Sequence, residues 1–387
     1  MESTVGLMHR TRLHALTGAR FVAALLVFLF HVAVLQVFVP TTGVGQALTL
    51  ATRSAATVGV SFFFMLSGFV LTWSARSDDT YRGFLRRRLV KIYPSHLVTF
   101  GVAMLVFAAA ATPPLTALLN AFLLHAWVPD PRVFLSVNGP SWSLSCELLF
   151  YLLFPLLLPV VKRIRAERLW RWAAAVAAVV MLLPLLARLL PGTPKFPGSF
   201  AGTVLESQSI YPMWFLYAFP PVRLFEFVLG MLMARIVLSG RWINVRAAVA
   251  TVLTLAGYVA GLVVPMTFTV SAVTVVPLAL LIPALAVAKE RGPAGTLAAP
   301  VMRRLGELSF GYYLVHQIVL IILRAAVGFD RQLGLGAGLL FVAAAFGISL
   351  VLAFLLHTFV EKPAVRRWSR PRAIKALAAD ASTPQSA

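Results

Sequence analysis

The chain has 387 residues, of which 60% are hydrophobic and only 12% charged, with a mean hydropathy of +0.87 and a formal net charge of +21. No soluble domain of this length needs so much apolar surface. Apolar runs of about 18 or more residues recur from end to end and predict an all-α polytopic membrane protein, without the alternation of an outer-membrane barrel. The single cysteine, Cys146, excludes an intrachain disulfide framework and cysteine-rich metal sites.

Ten transmembrane spans are predicted, at about 18–38, 56–74, 95–112, 142–161, 169–190, 222–239, 245–264, 267–288, 307–327 and 334–358. The first is too long for a cleavable signal, and no small-residue cleavage site closes it. An apolar piece near 115–128 follows Pro113-Pro114 and is too short to cross, so it reads as interfacial or re-entrant. In the long external segment 191–221, Pro191, Pro194, Pro197, Pro212, Pro220 and Pro221 rule out one continuous helix. That segment either covers an external mouth or is a plain connector. Residues 1–368 are expected to form a single transmembrane domain, and 369–387 a short disordered cytoplasmic tail.

Charge tests the count. With a cytoplasmic N-terminus, 24 of the 34 lysines and arginines fall in cytoplasmic segments, among them Arg10, Arg12, Lys289, Arg370, Arg372 and Lys375. Only Arg53, Arg132, Lys195 and Arg331 fall on the other side. This is the positive-inside bias, with both termini cytoplasmic in a multi-pass protein of the cell (cytoplasmic) membrane. The net charge is therefore a topology signal toward the lipid bilayer, and no nucleic-acid partner is expected.

Several ionisable groups interrupt the apolar runs. Arg20 and His31, eleven positions apart in the first span, share one helix face about 16 Å apart along the axis. A charge facing lipid is costly, so the pair marks an internal polar track. In the second span Gly59, Ser61, Ser67 and Gly68 favour close helix packing over a catalytic serine. Arg86, Arg87, Arg88 and Lys91 place four cations within six residues at the edge of the third span. They suit either a polyanion or anionic lipid. Glu147 opens the fourth span with Ser143 one turn earlier, and is either a site group or the partner of a buried arginine. Arg223 and Glu226, three apart, can neutralise each other in a structural or positioning role. His316, preceded by Tyr312 and Tyr313 with Glu307 two to three turns back, is either a packing residue or part of the site. His357 to Pro363 reads as an interfacial stop. No phosphate-binding glycine loop, metal-ligand set or nucleophile elbow is present.

Taken in order, these motifs resemble the membrane acyltransferase-3 family of integral-membrane O-acyltransferases. They are Arg20 with His31, Val60-Ser-Phe-Phe-Phe-Met-Leu-Ser-Gly-Phe69, Arg86-Arg-Arg-Leu-Val-Lys-Ile-Tyr-Pro94 and Ser141-Trp-Ser-Leu-Ser-Cys-Glu147. Arg223-Leu-Phe-Glu226, Leu305 to His316 and Glu361-Lys-Pro363 complete the set. Two departures stand out: Lys91 occupies a position where the family often has a second arginine, and Thr17-Gly-Ala-Arg20 lacks the arginine that more often precedes the glycine. The composition is similar to that of actinobacterial members, some of which acylate macrolide antibiotics.

The resemblance implies acyl transfer from acyl-coenzyme A, a co-substrate rather than a bound cofactor, to a hydroxyl of a sugar or macrolide-type metabolite, with no metal. His31 is expected to take the acceptor proton, because an imidazole with an intrinsic pKa near about 6.5 suits a base at neutral pH. Arg20 would guide the donor or offset charge on the thioester oxygen. Arg86, Arg87, Arg88 and Lys91 would hold the coenzyme A phosphates, and Glu147 would position the acceptor or the imidazole. Ser143, Arg223, Glu226, His316 and Tyr313 are the expected substrate-positioning residues. The competing reading is a transporter whose intramembrane Arg, His and Glu form a pathway.

Overall fold

Apolar runs closed by proline, glycine and charged residues fold into ten long helices. In the computed structural model, which describes residues 13–39, 43–76, 78–288 and 291–369, these are α1 His14–Val34, α2 Ala55–Trp73, α3 Tyr81–Ala103, α4 Trp142–Arg163 and α5 Leu169–Ala187. They continue with α6 Pro220–Leu238, α7 Ala247–Gly261, α8 Val275–Val287, α9 Pro300–Val327 and α10 Leu335–Leu356. Among the described residues there is no strand, only isolated bridges at Phe38 with Leu333 and Lys195 with Ser209. The bases expected at Arg10, Arg12, Lys289, Arg370, Arg372 and Lys375, and the tail beyond 369, lie outside the described residues.

Eight predicted spans coincide with these helices to within a turn or two; the third and eighth differ. Helix α3 starts at Tyr81 rather than near 95, because Thr80 caps it with Oγ1 accepting from the Gly83 N–H at 3.1 Å. Pro94 is accommodated inside it, at the loss of a backbone donor. The eighth span is shortened, since Met266–Thr269 forms a separate turn before α8.

Seven segments are long and apolar enough to cross a membrane, those containing α1, α2, α3, α4, α5, α9 and α10. The expected count of ten therefore includes three helices of another character. Helix α6 has 19 residues but carries Arg223, Glu226 and Arg235, and α7 and α8 have 15 and 13 residues. Those two rise only about 20 Å, less than a hydrocarbon core of about 30 Å.

Helix α2 is the hub of the bundle, with 83% of its apolar window buried. It meets α6 glycine to backbone: a Cβ on Gly68 would strike the Phe227 carbonyl, and one on Gly230 the Met65 carbonyl. The small residues thus do pack helices. Helix α1 lies against α2 and α9 in the same manner, Gly59 seating on the Ala23 carbonyl and Gly306 on the Thr17 carbonyl.

The predicted loops of the two sides gather at opposite ends. At the basic end Arg241 pairs with Glu167 at 3.0 Å, and Arg86 Nε donates to the Trp368 carbonyl at 2.7 Å. At the other end Arg53 donates to the Leu262 and Val264 carbonyls, and Gln36 to that of Ala201. Residues 112–141 make only short turns of helix, the longest being Pro114–Ala121, so this segment does not cross.

Candidate functional site

His31 falls in the last turn of α1, at the end away from the basic loops. Its Nδ1 lies 2.9 Å from the Val27 carbonyl oxygen, so in the neutral ring that nitrogen carries the proton and Nε2 keeps the lone pair. His316 Nδ1 faces the Tyr312 carbonyl at 3.2 Å, which leaves its Nε2 as an acceptor, 3.2 Å from His31 Nδ1. The His31 Nδ1–H is shared between Val27 and His316, and its own Nε2 has no hydrogen-bond partner among the described residues. His316 stacks on Tyr312 at 6.1 Å with ring planes 9° apart, which holds the pair in place. His316 thus packs on Tyr312 and at the same time lies in direct contact with the His31 ring.

The His31 imidazole borders a cavity of about 140 Å³ walled by aromatic and aliphatic side chains, among them Phe30, Phe134, Trp142, Tyr217 and Met213. Phe196, Phe200 and Leu205 of segment 191–221 close its outer side, so this segment is a cover rather than a plain connector. Gln317 also reaches the cavity, and its Oε1 is buried without a partner. Beside it, Arg324 (1% exposed) donates to the carbonyls of Leu35, Gln36, Gly328, Phe329 and Arg331, tying the exit of α1 to the end of α9. Neither residue was singled out from the sequence. The available signal for Arg324 was an arginine in the last turn of a helix, next to bare carbonyls.

Deeper in the bundle the polar stripe continues. Arg20 is within electrostatic reach of Glu147, Glu361 and Tyr151. Lys91 faces Arg20, Glu361, Arg88 and Glu147, with its Nζ 3.7 Å from Glu361. Glu147 accepts from the Tyr151 hydroxyl at 2.9 Å. Glu147 is thereby placed with Arg20 and Lys91, while the direct neighbour of the His31 ring is His316. Glu361, in the stretch read as an interfacial stop, is 6% exposed; a π-turn at His357–Glu361 swings it inward, and it pairs with His357 at 3.0 Å.

The four-cation cluster of α3 is split by helical periodicity. Arg88 and Lys91 share the inward face, Arg88 lying over the Phe84 ring at 5.5 Å. Arg87 pairs with Asp79 at 2.6 Å, and Arg86 caps the Trp368 carbonyl. One cradle made by all four is therefore not what forms. Instead, an open cavity of about 960 Å³ at the basic end is lined by Arg20, Arg76, Arg303, Arg304, His14 and Glu307. A neighbouring cavity of about 240 Å³ shares Arg76 and adds Arg88 and Lys162. The sequence alone marks Arg76, Arg303 and Arg304 only as topology charges.

The remaining expected residues are structural neighbours. The Arg223 guanidinium sits 3.0 Å from Glu226, donates to Ser61 Oγ and the Leu216 carbonyl, and is 1% exposed like its partner, a self-neutralised pair inside the bundle. Tyr313 and Ser143 meet at 3.0 Å, and both hydroxyls reach the Pro140 carbonyl, fixing the start of α4 against α9.

An acyltransferase domain matches residues 13–358. The chain is 40% identical over 385 residues, 97% of each protein, to "Acyltransferase MdmB" of Streptomyces mycarofaciens. It is 26% identical over 333 residues to "Nodulation protein 10" of Rhizobium leguminosarum bv. viciae, covering 80% of this chain and 82% of that one. It is 24% identical over 267 residues to an "O-acetyl transferase" of Shigella phage Sf6, covering 65% and 70%. No solved structure matches it. A polar stripe from Arg20 to His31 inside a multi-pass helical bundle, matched to this domain over nearly its whole length, makes the chain a membrane acyltransferase of the acyltransferase-3 family.

Proposed function

We propose that the chain is an O-acyltransferase of the cytoplasmic membrane that moves a short acyl group, acetyl or propionyl, from acyl-coenzyme A to a hydroxyl of a macrolide-type acceptor. The observation that carries this reading is the unengaged Nε2 of His31 beside an apolar cavity, at the opposite end of α1 from a wide basic cavity.

The acceptor hydroxyl gives its proton to His31 Nε2 as its oxygen attacks the thioester carbonyl carbon. The new C–O bond forms, the C–S bond breaks, and the coenzyme A thiolate takes the proton back from Nε2. Val27 and His316 hold the ring in the tautomer this needs. The basic end is cytoplasmic on the positive-inside bias, so Arg76, Arg303, Arg304 and Arg20 suit the donor phosphates there. The distance from Arg20 to His31, about 16 Å along the helix, is then spanned by the pantetheine arm. Glu147 with Lys91 and Arg20 lines its path rather than touching the imidazole.

Aromatic and aliphatic walls around His31 support an apolar-bodied acceptor presenting one hydroxyl-bearing edge. A cavity of about 140 Å³ admits an edge and not a whole macrolide. A free sugar would leave most of its hydroxyls unpaired against Phe30, Phe134 and Phe200.

The test incubates membranes carrying the protein with labelled acetyl-, propionyl- and longer acyl-coenzyme A and a panel of macrolides and sugars. Free coenzyme A with an acylated macrolide is expected, lost in His31→Ala at matched protein level. Vesicle uptake of acceptor with no acylated product would replace this reading with transport.

A further inference from the structure

The chemistry proposed for His31 generates negative charge on the thioester oxygen, and an apolar cavity stabilises none of it. A donor has to face that oxygen. The wall supplies one in Gln317, which follows His316 on α9 and borders the same cavity as His31.

Its carboxamide has an unusual status. The Oε1 atom is buried without a hydrogen-bond partner, and no partner is found for Nε2 among the described residues either. An amide left unsatisfied in an apolar pocket is costly unless a ligand completes it. Of the two amide atoms Oε1 is the fully enclosed one, which leaves Nε2 as the accessible atom and its N–H as the group available at the cavity. Backbone is arranged to make room for it: Gly139 at the entrance to α4 lies against the Gln317 side chain, and a Cβ there would strike the carboxamide. Asn138, one residue earlier, donates from Nδ2 to the Leu314 carbonyl at 2.9 Å and locks this turn onto α9. The turn therefore holds the amide in place without bonding to it.

We infer that Gln317 is a catalytic residue of the acyl transfer, its carboxamide N–H donating to the thioester carbonyl oxygen as the tetrahedral intermediate forms. The inference rests on the acyl-coenzyme A reading above and adds to it the group that receives the oxyanion. No atom is exchanged: the N–H strengthens an existing hydrogen bond as charge grows on the oxygen and relaxes when the C–S bond breaks. Tyr217, which also lines the cavity, is the competing donor.

The test uses full-length protein in detergent or nanodiscs. Gln317→Met keeps the side-chain volume and removes the donor; kcat is expected to fall about 10²-fold with the acyl-coenzyme A KM little changed, as for loss of one oxyanion donor. Tyr217→Phe removes the other donor on this cavity and is expected to lower kcat less than Gln317→Met does. The second measurement needs no turnover: a thioether ketone analogue of acetyl-coenzyme A, ¹³C-labelled at the carbonyl, is bound and its C=O stretch read by difference infrared. The band should lie lower in wild type than in Gln317→Met. A band that is the same in both proteins overturns the assignment, as does a kcat loss that follows Tyr217→Phe instead. Failure of the analogue to bind the wild type would refute the acyl-coenzyme A reading and the inference with it. Binding with an unshifted band refutes the inference alone.

Discussion

His316 is the neighbour whose removal separates two versions of the proposed chemistry. It contributes one neutral contact at 3.2 Å to His31 Nδ1, while the Val27 carbonyl holds the same N–H more closely at 2.9 Å. His316→Phe preserves a ring in the stack on Tyr312 and deletes the Nε2 acceptor, together with the Nδ1–H that faces the Tyr312 carbonyl. A neutral hydrogen bond is worth about 1 kcal/mol net, and 1.4 kcal/mol is about tenfold, so an orienting role predicts roughly a fivefold loss of kcat. His31→Ala removes the base itself and should cost about 10²–10⁴-fold. The double variant should be no worse than His31→Ala, because orienting an absent ring is worth nothing. Initial rates of coenzyme A release, at equal protein in nanodiscs and saturating donor, give all four corners of the cycle. A His316→Phe loss as deep as that of His31→Ala would refute the orienting role and make His316 part of the proton path. Losses that multiply in the double variant would refute the coupling.

Three further outcomes follow from the cation placement. Arg303→Ala with Arg304→Ala should raise the acyl-coenzyme A KM about tenfold, with the gap narrowing as salt rises, whereas Arg86→Ala should leave it nearly unchanged because that side chain caps Trp368. Equal effects from the two sets, in donor titrations, would return the phosphate site to α3. Glu226→Leu strands Arg223 in the bundle and should cost about 3–5 kcal/mol in detergent melts, and the double replacement Arg223→Met with Glu226→Leu should recover most of it. Arg324→Lys offers fewer, less spread donors to five carbonyls and should cost about 1–3 kcal/mol, with proteolysis at 328–334 reporting the loosened turn.

Much of the fold was legible because apolar runs and basic loops are periodic signals that one chain carries by itself. The helix boundaries, the small-residue contact at Gly68 and the Arg223–Glu226 pair each depend on spacing within one helix or on residue size. Spacing also misleads at α3, where the apolar run points to a start near 95 and the helix instead begins at Tyr81 and runs through Pro94. What was not legible depends on contacts between distant helices. His31 meets His316 across 285 positions, and no local pattern links them. Glu361 reaches Lys91 only because a π-turn alters the face it presents. Four adjacent cations read as one cradle until the 100° step between residues sorts them onto different faces.

Two charge systems occupy this bundle, one fully buried and one only partly so, and their difference argues for what binds it. Arg223 and Glu226 balance one against one, with Nη1 and Nη2 also donating to the Leu216 carbonyl and Ser61 Oγ and only Nε left without a partner. The stripe below His31 does not balance: Arg20, Arg88 and Lys91 face Glu147 and Glu361, three cations against two carboxylates. A fully buried pair has to be compensated, as Arg223 is by Glu226, whereas the partly exposed stripe carries its excess positive charge where an anion can reach it. A purely structural network would be selected toward the balance seen at Arg223. A site that receives an anion gains by holding one cation in reserve, so that the ligand completes the set. A phosphate or a departing thiolate answers that description on the proposed reading, and a neutral transport substrate does not.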